Sequence, residues 1–115
     1  FALWGVKGGL GFSSKSIALA TGWSDFDEKE AMIVGERMVN LQRVIAIKRG
    51  FKPEDEFDIS ERLLEAPSVG KAAGKTIRPH LRKMVQEYYD EMGWDKMTGK
   101  PNHSTLQKIG LTSDI

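Results

Sequence analysis

Apolar residues recur at steps of three and four in two segments of the chain, which is the spacing of one face of a helix. The first stripe consists of Ala31, Val34, Met38, Leu41 and Ile45. Asp27 and Glu30 precede it as a capping-box pair, in which each side chain is expected to accept a hydrogen bond from the other residue's backbone N–H. Gly50 follows as a C-terminal stop. The pattern predicts a helix over residues 27–49 whose apolar stripe faces the core.

The second stripe consists of Leu81, Met84, Val85, Tyr88, Tyr89 and Met92. Pro79 suits the first position of this helix because its φ angle is fixed near the helical value. Gly93 provides the stop, and Trp94 stands where a Schellman motif packs an apolar side chain back onto the last turn, here onto Tyr89. These features predict a helix over residues 79–92. Its methionines, like the methionine of the first stripe, are predicted to pack in the core.

The segment before the first stripe predicts only short-range structure. Residues 1–12 mix glycine with apolar residues without a clear period, and they predict an irregular, buried opening segment. Ser13 or Ser14 is then expected to cap a short helix, which Gly22 ends in the left-handed conformation.

The remaining segments also predict helices and loops. Residues 51–78 are rich in loop-forming residues and predict a linker with one helical turn at residues 60–65. A last short helix is expected to begin with Asn102 as its cap. No segment alternates strictly between apolar and polar residues, so no strand is predicted. Residues 1–115 are therefore predicted to be all-α and multihelical, with two longer amphipathic helices.

Composition limits the possible partners. The net charge is +1, which provides no overall field that would attract nucleic acid or an anionic membrane. The chain contains no cysteine, which excludes disulfides and thiolate metal ligands within it. No run approaches the roughly 20 apolar residues that span a bilayer. We expect a protein of the cytoplasm that binds neither nucleic acid nor membrane.

The chain starts with Phe1 and continues directly into apolar sequence through Trp4, whereas natural termini are usually polar. Proteolytic processing or trimming of the expressed protein would explain this start. The alternative, which we prefer from the sequence, is that the chain is cut from inside a longer polypeptide whose other parts cover these side chains.

Two patterns suggest ligand binding, and both are weak. Residues 69–76 resemble a phosphate-binding loop, but the first glycine is displaced by one position and no buried strand precedes it, so a flexible linker is predicted. Five basic residues form what we call the basic patch over residues 71–83. They are Lys71, Lys75, Arg78, Arg82 and Lys83. No aromatic residue lies among them, as it would in many nucleic-acid modules, so a solvated face or one that docks an acidic surface is favoured.

Candidates for catalysis or metal binding are also weak. His80 and His103 lack a second histidine or a carboxylate at a metal-binding spacing. Ser13 and Ser14 lack the nucleophile-elbow sequence and a local histidine partner. We therefore predict no catalytic residue and no metal ligand in this chain.

Several short strings resemble a known family by their order and spacing. The most distinctive runs from Gly35 to Arg43 as GERMVNLQR, with Gly50-Phe51 following it. The others are TGW at 21–23, RLLEAP at 62–67, EYY at 87–89, GWD at 93–95, and G-x-P with L-x-x-I-G-L over 99–111. Together they resemble the C-terminal helical region of the tungsten-dependent aldehyde ferredoxin oxidoreductase family.

The resemblance implies that the chain is the extreme C-terminal part of the third domain of such an enzyme. In this family a tungsten, or sometimes molybdenum, bis-pterin cofactor lies beside a 4Fe–4S cluster, and cysteine motifs of the D-x-x-G-L-C type hold the cluster. Those motifs are absent here, and the last cluster cysteine is expected just upstream of Phe1. The implied activity is oxidation of aldehydes to carboxylic acids, with the rest of the enzyme and ferredoxin or another redox subunit as partners.

Two departures from the family pattern leave the substrate open. Residues 46–50 lack the Asn and Glu of the family's N-x-R-E-G segment, and residues 55–62 replace its D-D-T-L-P-x-R segment. The chain also resembles the tungsten subunits that reduce aromatic acyl-CoA thioesters, such as those of benzoyl-CoA reductases.

Four polar residues of the first long helix lie broadly on one side of it. They are Glu36, Arg37, Asn40 and Arg43. They either hydrogen-bond to neighbouring helices or reach cofactor phosphates from behind the residues that bind the cofactor directly. We favour the structural role, because buried pairing of arginine with carboxylates is common.

The sequence thus predicts a scaffold and cavity wall of a redox enzyme, with no activity as an isolated chain. The rival hypothesis is a stand-alone helical interaction module that binds nucleic acid or an acidic protein through the basic patch.

Overall fold

The computed structural model describes residues 9–111, which fold into helices joined by turns. The helices are α1 (Gly9–Thr21), α2 (Glu28–Lys48), α3 (Glu61–Leu64), α4 (Leu81–Met92) and α5 (His103–Lys108), with a 3₁₀ helix at Pro53–Phe57 between α2 and α3. No strand occurs among residues 9–111, where an isolated antiparallel bridge pairs Trp94 with Pro101. The predicted all-α class is confirmed.

The ends of α2 lie where the predicted capping signals place them. Asp27 has extended backbone geometry, and its Oδ1 atom accepts a hydrogen bond of 2.8 Å from the Glu30 N–H. The Glu30 carboxylate does not return this bond to Asp27 but lies 3.3 Å from Arg37. Gly50 has a φ angle of 96°, and the Phe51 N–H donates to the Ala46 carbonyl at 3.0 Å. This pattern is a Schellman motif, so the predicted helix is confirmed with half of its capping box.

Helix α4 begins at Leu81, two residues after the predicted start at Pro79. At its end Gly93 has a φ angle of 63°, and the Trp94 N–H donates to the Tyr89 carbonyl at 2.8 Å. The rings of Trp94 and Tyr89 pack with centroids 5.5 Å apart. The predicted Schellman motif and its apolar contact are confirmed.

The start of α1 corrects the prediction for the opening segment. Residues 9–12 are helical, not irregular, and Phe12 is 56% exposed, not buried. Ser13 and Ser14 lie inside the helix, where their hydroxyls donate to carbonyls one turn earlier, so neither is an N-cap. The prediction failed because glycine disfavours a helix by only about 1 kcal/mol per residue, so glycines at positions 9 and 11 do not exclude one. The rest of the opening segment, residues 1–8, lies outside the described residues.

The predicted burial of the α2 stripe is wrong within this chain. Met38 is 59% exposed, Leu41 38% and Ile45 42%. The buried positions of α2 are instead polar, since Asn40 is 1% exposed and Arg43 is 8% exposed. Periodicity identifies the apolar face of a helix. Whether that face is buried depends on where the neighbouring elements lie. Among the methionines predicted to be in the core, Met84 is likewise 49% exposed, whereas Met92 is half-buried.

The apolar core is small for the length of the chain. Its members among the described residues are Phe26, Leu64, Tyr89, Trp94, Leu106 and Ile109. The radius of gyration is 18.0 Å, compared with about 13 Å for a compact domain of this size. The molecule is a slab of 50 × 39 × 21 Å. Within residues 9–111, no helix has an apolar stretch long enough to cross a bilayer.

Candidate functional site: the buried polar face of helix α2

The four polar residues singled out from the sequence lie on the side of α2 opposite its apolar stripe. At 3.6 residues per turn, Glu36, Asn40 and Arg43 project in nearly the same direction, and Arg37 lies at the edge of this group. This side of the helix faces the 3₁₀ helix, the end of α4 and the turn before α5, through the contacts described below. We call it the inner face of α2.

Arg43 is the centre of the inner face. Its Nε atom donates to the Gly99 carbonyl at 2.8 Å, and one terminal nitrogen donates to a carboxylate oxygen of Glu56 at 2.6 Å. The other terminal nitrogen donates to the Tyr89 hydroxyl. The guanidinium therefore joins α2 to the 3₁₀ helix, to α4 and to the turn that follows α4. All three directions of its planar fork are used.

Aromatic rings surround the same guanidinium. Its central carbon lies 4.5 Å from the ring centroid of Trp94 and 4.9 Å from the centroids of Phe51 and Tyr89. A desolvated cation over an aromatic face gains about 2 kcal/mol. These rings therefore help to compensate for removing a permanent charge from water.

Gly99 is required for this arrangement. Its φ angle is 66°, and a Cβ atom at this position would overlap the Arg43 guanidinium and crowd the Tyr89 hydroxyl. The absence of a side chain lets the backbone carbonyl come within hydrogen-bond distance of Arg43. Glycine is thus needed here both for its backbone conformation and for the close approach.

The Tyr89 hydroxyl completes the cluster by donating to Glu56 at 3.0 Å. Burial of the ring, followed by this hydrogen bond, raises the pKa of Tyr89 above its ordinary value, although the charge of Arg43 acts in the opposite direction. The phenol therefore stays protonated at neutral pH. It can donate to Glu56 while its oxygen accepts from Arg43.

Asn40 and Arg37 bind the residue after Gly93 and the end of α5, respectively. The Trp94 indole N–H donates to Asn40 Oδ1 at 2.9 Å, and the Asn40 amide donates to the Glu36 carbonyl one turn earlier, also at 2.9 Å. Arg37 Nε donates to the Ile109 carbonyl at the end of α5 at 2.6 Å. The hydrogen bonds of both side chains are therefore made to other residues of this chain.

Glu36 differs from its three neighbours on the inner face. The residue is half-buried, and its carboxylate forms no hydrogen bond or ion pair with any residue between 9 and 111. It borders a groove of about 420 Å³ that Asp90, Glu91 and Lys108 also line. Neither this acidic groove nor any other part of the described chain brings together three side chains suited to holding a metal ion.

The inner face does not fit the role of holding a pterin phosphate or an iron–sulfur cluster. Every buried side-chain nitrogen and oxygen in residues 9–111 already has a hydrogen-bond partner, so none is left for a phosphate or a cluster to bind. The two arginines already bind carboxylates and carbonyl groups of this chain. What the arrangement can do is fix the relative positions of α2, α4, α5 and the 3₁₀ helix.

The basic patch is partly engaged within the chain. Arg78 pairs with Glu61, which raises the pKa of Arg78 through a hydrogen bond and through charge. Lys83 lies 3.5 Å from Glu87, and Arg82 stacks with its guanidinium carbon 4.7 Å from the Phe57 ring centroid.

The segment at residues 69–76 is a series of turns in the structure. The N–H groups of Ala73, Gly74 and Lys75 donate to backbone carbonyls within residues 67–72. These donors are thus used inside the loop and do not converge on a phosphate. This geometry differs from that of a phosphate-binding loop.

Sequence reasoning missed most partners of Arg43. The acidic loop showed several carboxylates without indicating that Glu56 would be the one used, and Gly99 was part of a turn without a predicted contact. The periodicity predicts Tyr89 as an apolar core residue and indicates no partner for its hydroxyl. Such pairings over 13, 46 and 56 residues have no local signal, because they depend on how the helices dock.

The family model described as "Aldehyde ferredoxin oxidoreductase, domains 2 & 3" matches residues 5–111, which include the whole inner face. The chain belongs to this family. The stretch matched contains each of the strings that carried the resemblance, from TGW to the closing I-G-L.

Individual members of the aldehyde ferredoxin oxidoreductase family agree with this assignment. A tungsten-containing aldehyde ferredoxin oxidoreductase of Pyrococcus abyssi is 34% identical over 97 residues, covering 84% of this chain and 15% of that protein. The enzyme of the same name from Pyrococcus furiosus is 33% identical over 93 residues, covering 80% of this chain and 15% of that protein. An aliphatic sulfonate oxidoreductase, WOR-like subunit, of Pyrococcus furiosus is 29% identical over 83 residues, or 68% of this chain and 13% of that protein.

The chain therefore spans about 15% of the length of these aldehyde oxidoreductases and corresponds to one part of an oxidoreductase. No solved structure matches it.

Proposed function

We propose that this chain is the C-terminal helical segment of a cytoplasmic tungsten-pterin, iron–sulfur oxidoreductase that oxidises aldehydes to carboxylic acids with ferredoxin as electron acceptor. The observation that carries the proposal is the family match across residues 5–111, together with relatives at 33–34% identity that are named tungsten-containing aldehyde ferredoxin oxidoreductases. The relative named for aliphatic sulfonates is less similar, at 29%. This ranking favours an aldehyde over a sulfonate as the substrate.

The chain acts as scaffold and cavity wall, and the cofactor ligands lie elsewhere in the enzyme. It contains no cysteine for a cluster and, within residues 9–111, no group of side chains suited to a metal. Arg43 and Asn40 fix α2 against α4 and the turn after it through buried hydrogen bonds. A wall of fixed shape limits which substrates enter and keeps bulk water out of the cavity.

Glu36, Arg37, Asn40 and Arg43 are proposed to be structural residues. Three of them are engaged within the chain by bonds of 2.6–3.3 Å. Binding a cofactor phosphate would require these donors to leave carbonyl and carboxylate partners. The energetic cost of orphaning those partners favours the structural role.

The rival function, a stand-alone module that binds through the basic patch, gains little support. Arg78, Arg82 and Lys83 already contact acidic or aromatic neighbours, which leaves a weaker positive surface than the sequence suggested. Titration of the chain with duplex and single-stranded DNA at two salt concentrations checks this point. Salt-sensitive micromolar binding would favour the rival.

Expression of the full-length gene with tungstate, followed by assays of aldehyde-dependent reduction of ferredoxin, tests the proposal. Aliphatic and aromatic aldehydes should be oxidised, whereas sulfonates and aromatic acyl-CoA thioesters should react more slowly or not at all. A tungsten-loaded protein that oxidises no aldehyde would refute the proposed substrate class. Residues 1–115 expressed alone should bind neither tungsten nor pterin, and stoichiometric binding would refute the scaffold role.

The coding sequence upstream of Phe1 provides an independent test. A D-x-x-G-x-C run close to Phe1 is expected, since the family resemblance implies a last cluster cysteine just upstream. An upstream sequence without any cysteine motif would contradict the proposed iron–sulfur enzyme.

A further inference from the structure

The apolar side of α2 carries three exposed side chains, whereas Val34 at its start is half-buried. We call Val34, Met38, Leu41 and Ile45 the outer stripe. The last three are 59%, 38% and 42% exposed, respectively, and their mean direction is roughly opposite to that of Asn40 and Arg43. The stripe contains no charged residue. A continuous apolar row on a long, well-capped helix is a candidate contact surface.

Gly35 lies beside the outer stripe and has no explanation within this chain. It sits in the interior of α2, where glycine costs about 1 kcal/mol relative to alanine. A Cβ atom built at this position meets nothing within 4 Å among the described residues. A glycine with open space above it, next to an exposed apolar row, permits close approach by another backbone.

The size of the stripe indicates what covers it. From residue 34 to residue 45 the helix rises about 17 Å, and a strip of roughly 10 Å width is far smaller than the roughly 800 Å² per partner that separate copies bury in a stable complex. A contact within one polypeptide needs less area, because the covalent connection raises the effective concentration of the two surfaces. The chain spans only 15% of the length of its relatives, so an enzyme of their length would supply ample polypeptide for such a contact.

We propose that the outer stripe is an internal interface of the full-length enzyme, covered by an apolar, uncharged surface of the polypeptide outside these 115 residues. The inference rests on the proposed function only in that the full-length protein is taken to be an enzyme much longer than this chain. In this arrangement α2 lies between two bodies. Its inner face binds the rest of this chain through polar contacts, and its outer stripe packs against the remainder of the enzyme.

Thiol labelling of the full-length protein tests the proposal. Met38→Cys introduces a thiol on the outer stripe, and Met97→Cys introduces the matched control in a turn where the methionine is 84% exposed. The 115 residues contain no native cysteine, so mass spectrometry of their peptides detects the introduced thiol alone. Ile45→Cys repeats the test about two helical turns later on the same stripe, in case Met38→Cys does not fold.

Met38→Cys should react with a maleimide at least about 100-fold more slowly in the native enzyme than in urea, because labelling then requires local opening. Met97→Cys should react at nearly the same rate in both conditions. Equal native rates for the two positions would overturn the proposal. Protection of Met38→Cys that disappears when the protein is diluted to a monomer would also overturn it, because a second copy would then be the cover.

An aldehyde assay on the same preparations separates this inference from the proposed function. Fast labelling of Met38→Cys in an enzyme that oxidises aldehydes refutes the interface alone. Slow labelling in a tungsten-loaded protein without aldehyde activity refutes the proposed substrate class alone.

Discussion

The two faces of α2 combine opposite chemistry with opposite surroundings. The inner face is polar and buried, with Asn40 1% exposed and Arg43 8% exposed, and its side chains bind partners up to 72 residues away. The outer stripe is apolar and open, with Met38 59% exposed. Polar side chains, not the apolar stripe, therefore join α2 to the 3₁₀ helix, α4, α5 and the turn between those two helices. Its apolar surface on α2 remains available for contacts with other polypeptide.

Removal of the Arg43 guanidinium should have the largest effect. Arg43→Met should lower the free energy of local opening of α2 by about 3–5 kcal/mol, since the Glu56 carboxylate and the Gly99 carbonyl lose a buried charged partner. Hydrogen exchange of α2 peptides in the full-length enzyme measures this quantity. Arg49→Met, at an exposed position just after the same helix, should change it by less than about 0.5 kcal/mol. Equal effects would show that the buried cluster contributes no special stability.

Gly99→Ala tests whether the close approach to Arg43 is needed. The left-handed backbone costs alanine about 1–2 kcal/mol, and overlap with the guanidinium adds a similar amount, for a total of about 3 kcal/mol. Gly74→Ala is the matched control, since Gly74 has a φ angle of 72° but nothing within 4 Å of a Cβ atom. It should cost only the backbone share. The same hydrogen-exchange measurement applies, and indistinguishable losses would contradict the packing of Gly99 on Arg43.

Asn40→Leu separates a structural role of the inner face from a role at the cofactor. The substitution leaves the buried Trp94 indole N–H without its acceptor, so we expect a loss of about 2 kcal/mol in the free energy of local opening. Gln42→Leu, an exposed amide on the same helix, should be nearly neutral. If Asn40→Leu instead preserves stability and removes bound pterin, the residue acts towards the cofactor.

Gly35→Ala should change the stability of α2 in opposite directions depending on whether its outer side is covered. In an uncovered helix the substitution should raise stability by about 1 kcal/mol, because alanine is the better helix former. We expect a decrease of about 1 kcal/mol in the full-length enzyme, because the added methyl group meets the polypeptide that covers the stripe. Hydrogen exchange of the 28–48 peptides decides between the two signs. An increase would mean that no chain approaches α2 at Gly35.

The smallest predicted effect is a pH dependence of the inner face. Because its pKa is raised by burial and by the bond to Glu56, Tyr89 stabilises the folded state as a neutral phenol. This contribution is fully present below the ordinary tyrosine pKa of about 10 and is lost as the pH rises through the folded value. Melting temperatures from about pH 8 to about pH 11 should therefore fall less steeply in Tyr89→Phe than in the unsubstituted protein. Tyr88→Phe, at a ring that is 49% exposed, should follow the unsubstituted protein.

Features encoded by neighbouring residues were predictable from the sequence. Asp27 caps α2 through an N–H three residues away, and Gly50 and Gly93 stop their helices through bonds within a single turn. The contact of Trp94 with Tyr89 was predictable for the same reason. Such signals need no knowledge of how the helices dock.

Features set by docking were not predictable. The hydrophobic pattern located the outer stripe correctly on α2 but assigned it to the core, because a pattern does not reveal what lies on each side of a helix. The polar grouping of Asn40 and Arg43 suggested hydrogen bonds to neighbouring helices, yet only the fold identifies Trp94, Glu56 and Gly99 as the partners. The sequence therefore predicts where the candidate site lies on α2, but not which residues its side chains bind.

The separation of Arg43 from its partners along the chain has a consequence for biosynthesis. Glu56 follows it by 13 residues, Tyr89 by 46 and Gly99 by 56. A ribosome that has released α2 but not residue 99 therefore exposes a helix whose guanidinium lacks its last acceptor. At that stage neither face of α2 is fully covered, and such intermediates are prone to aggregate or to be captured by chaperones. A pause in translation should cause the least aggregation after the Gly99 turn has emerged, because Arg43 can then form all of its hydrogen bonds.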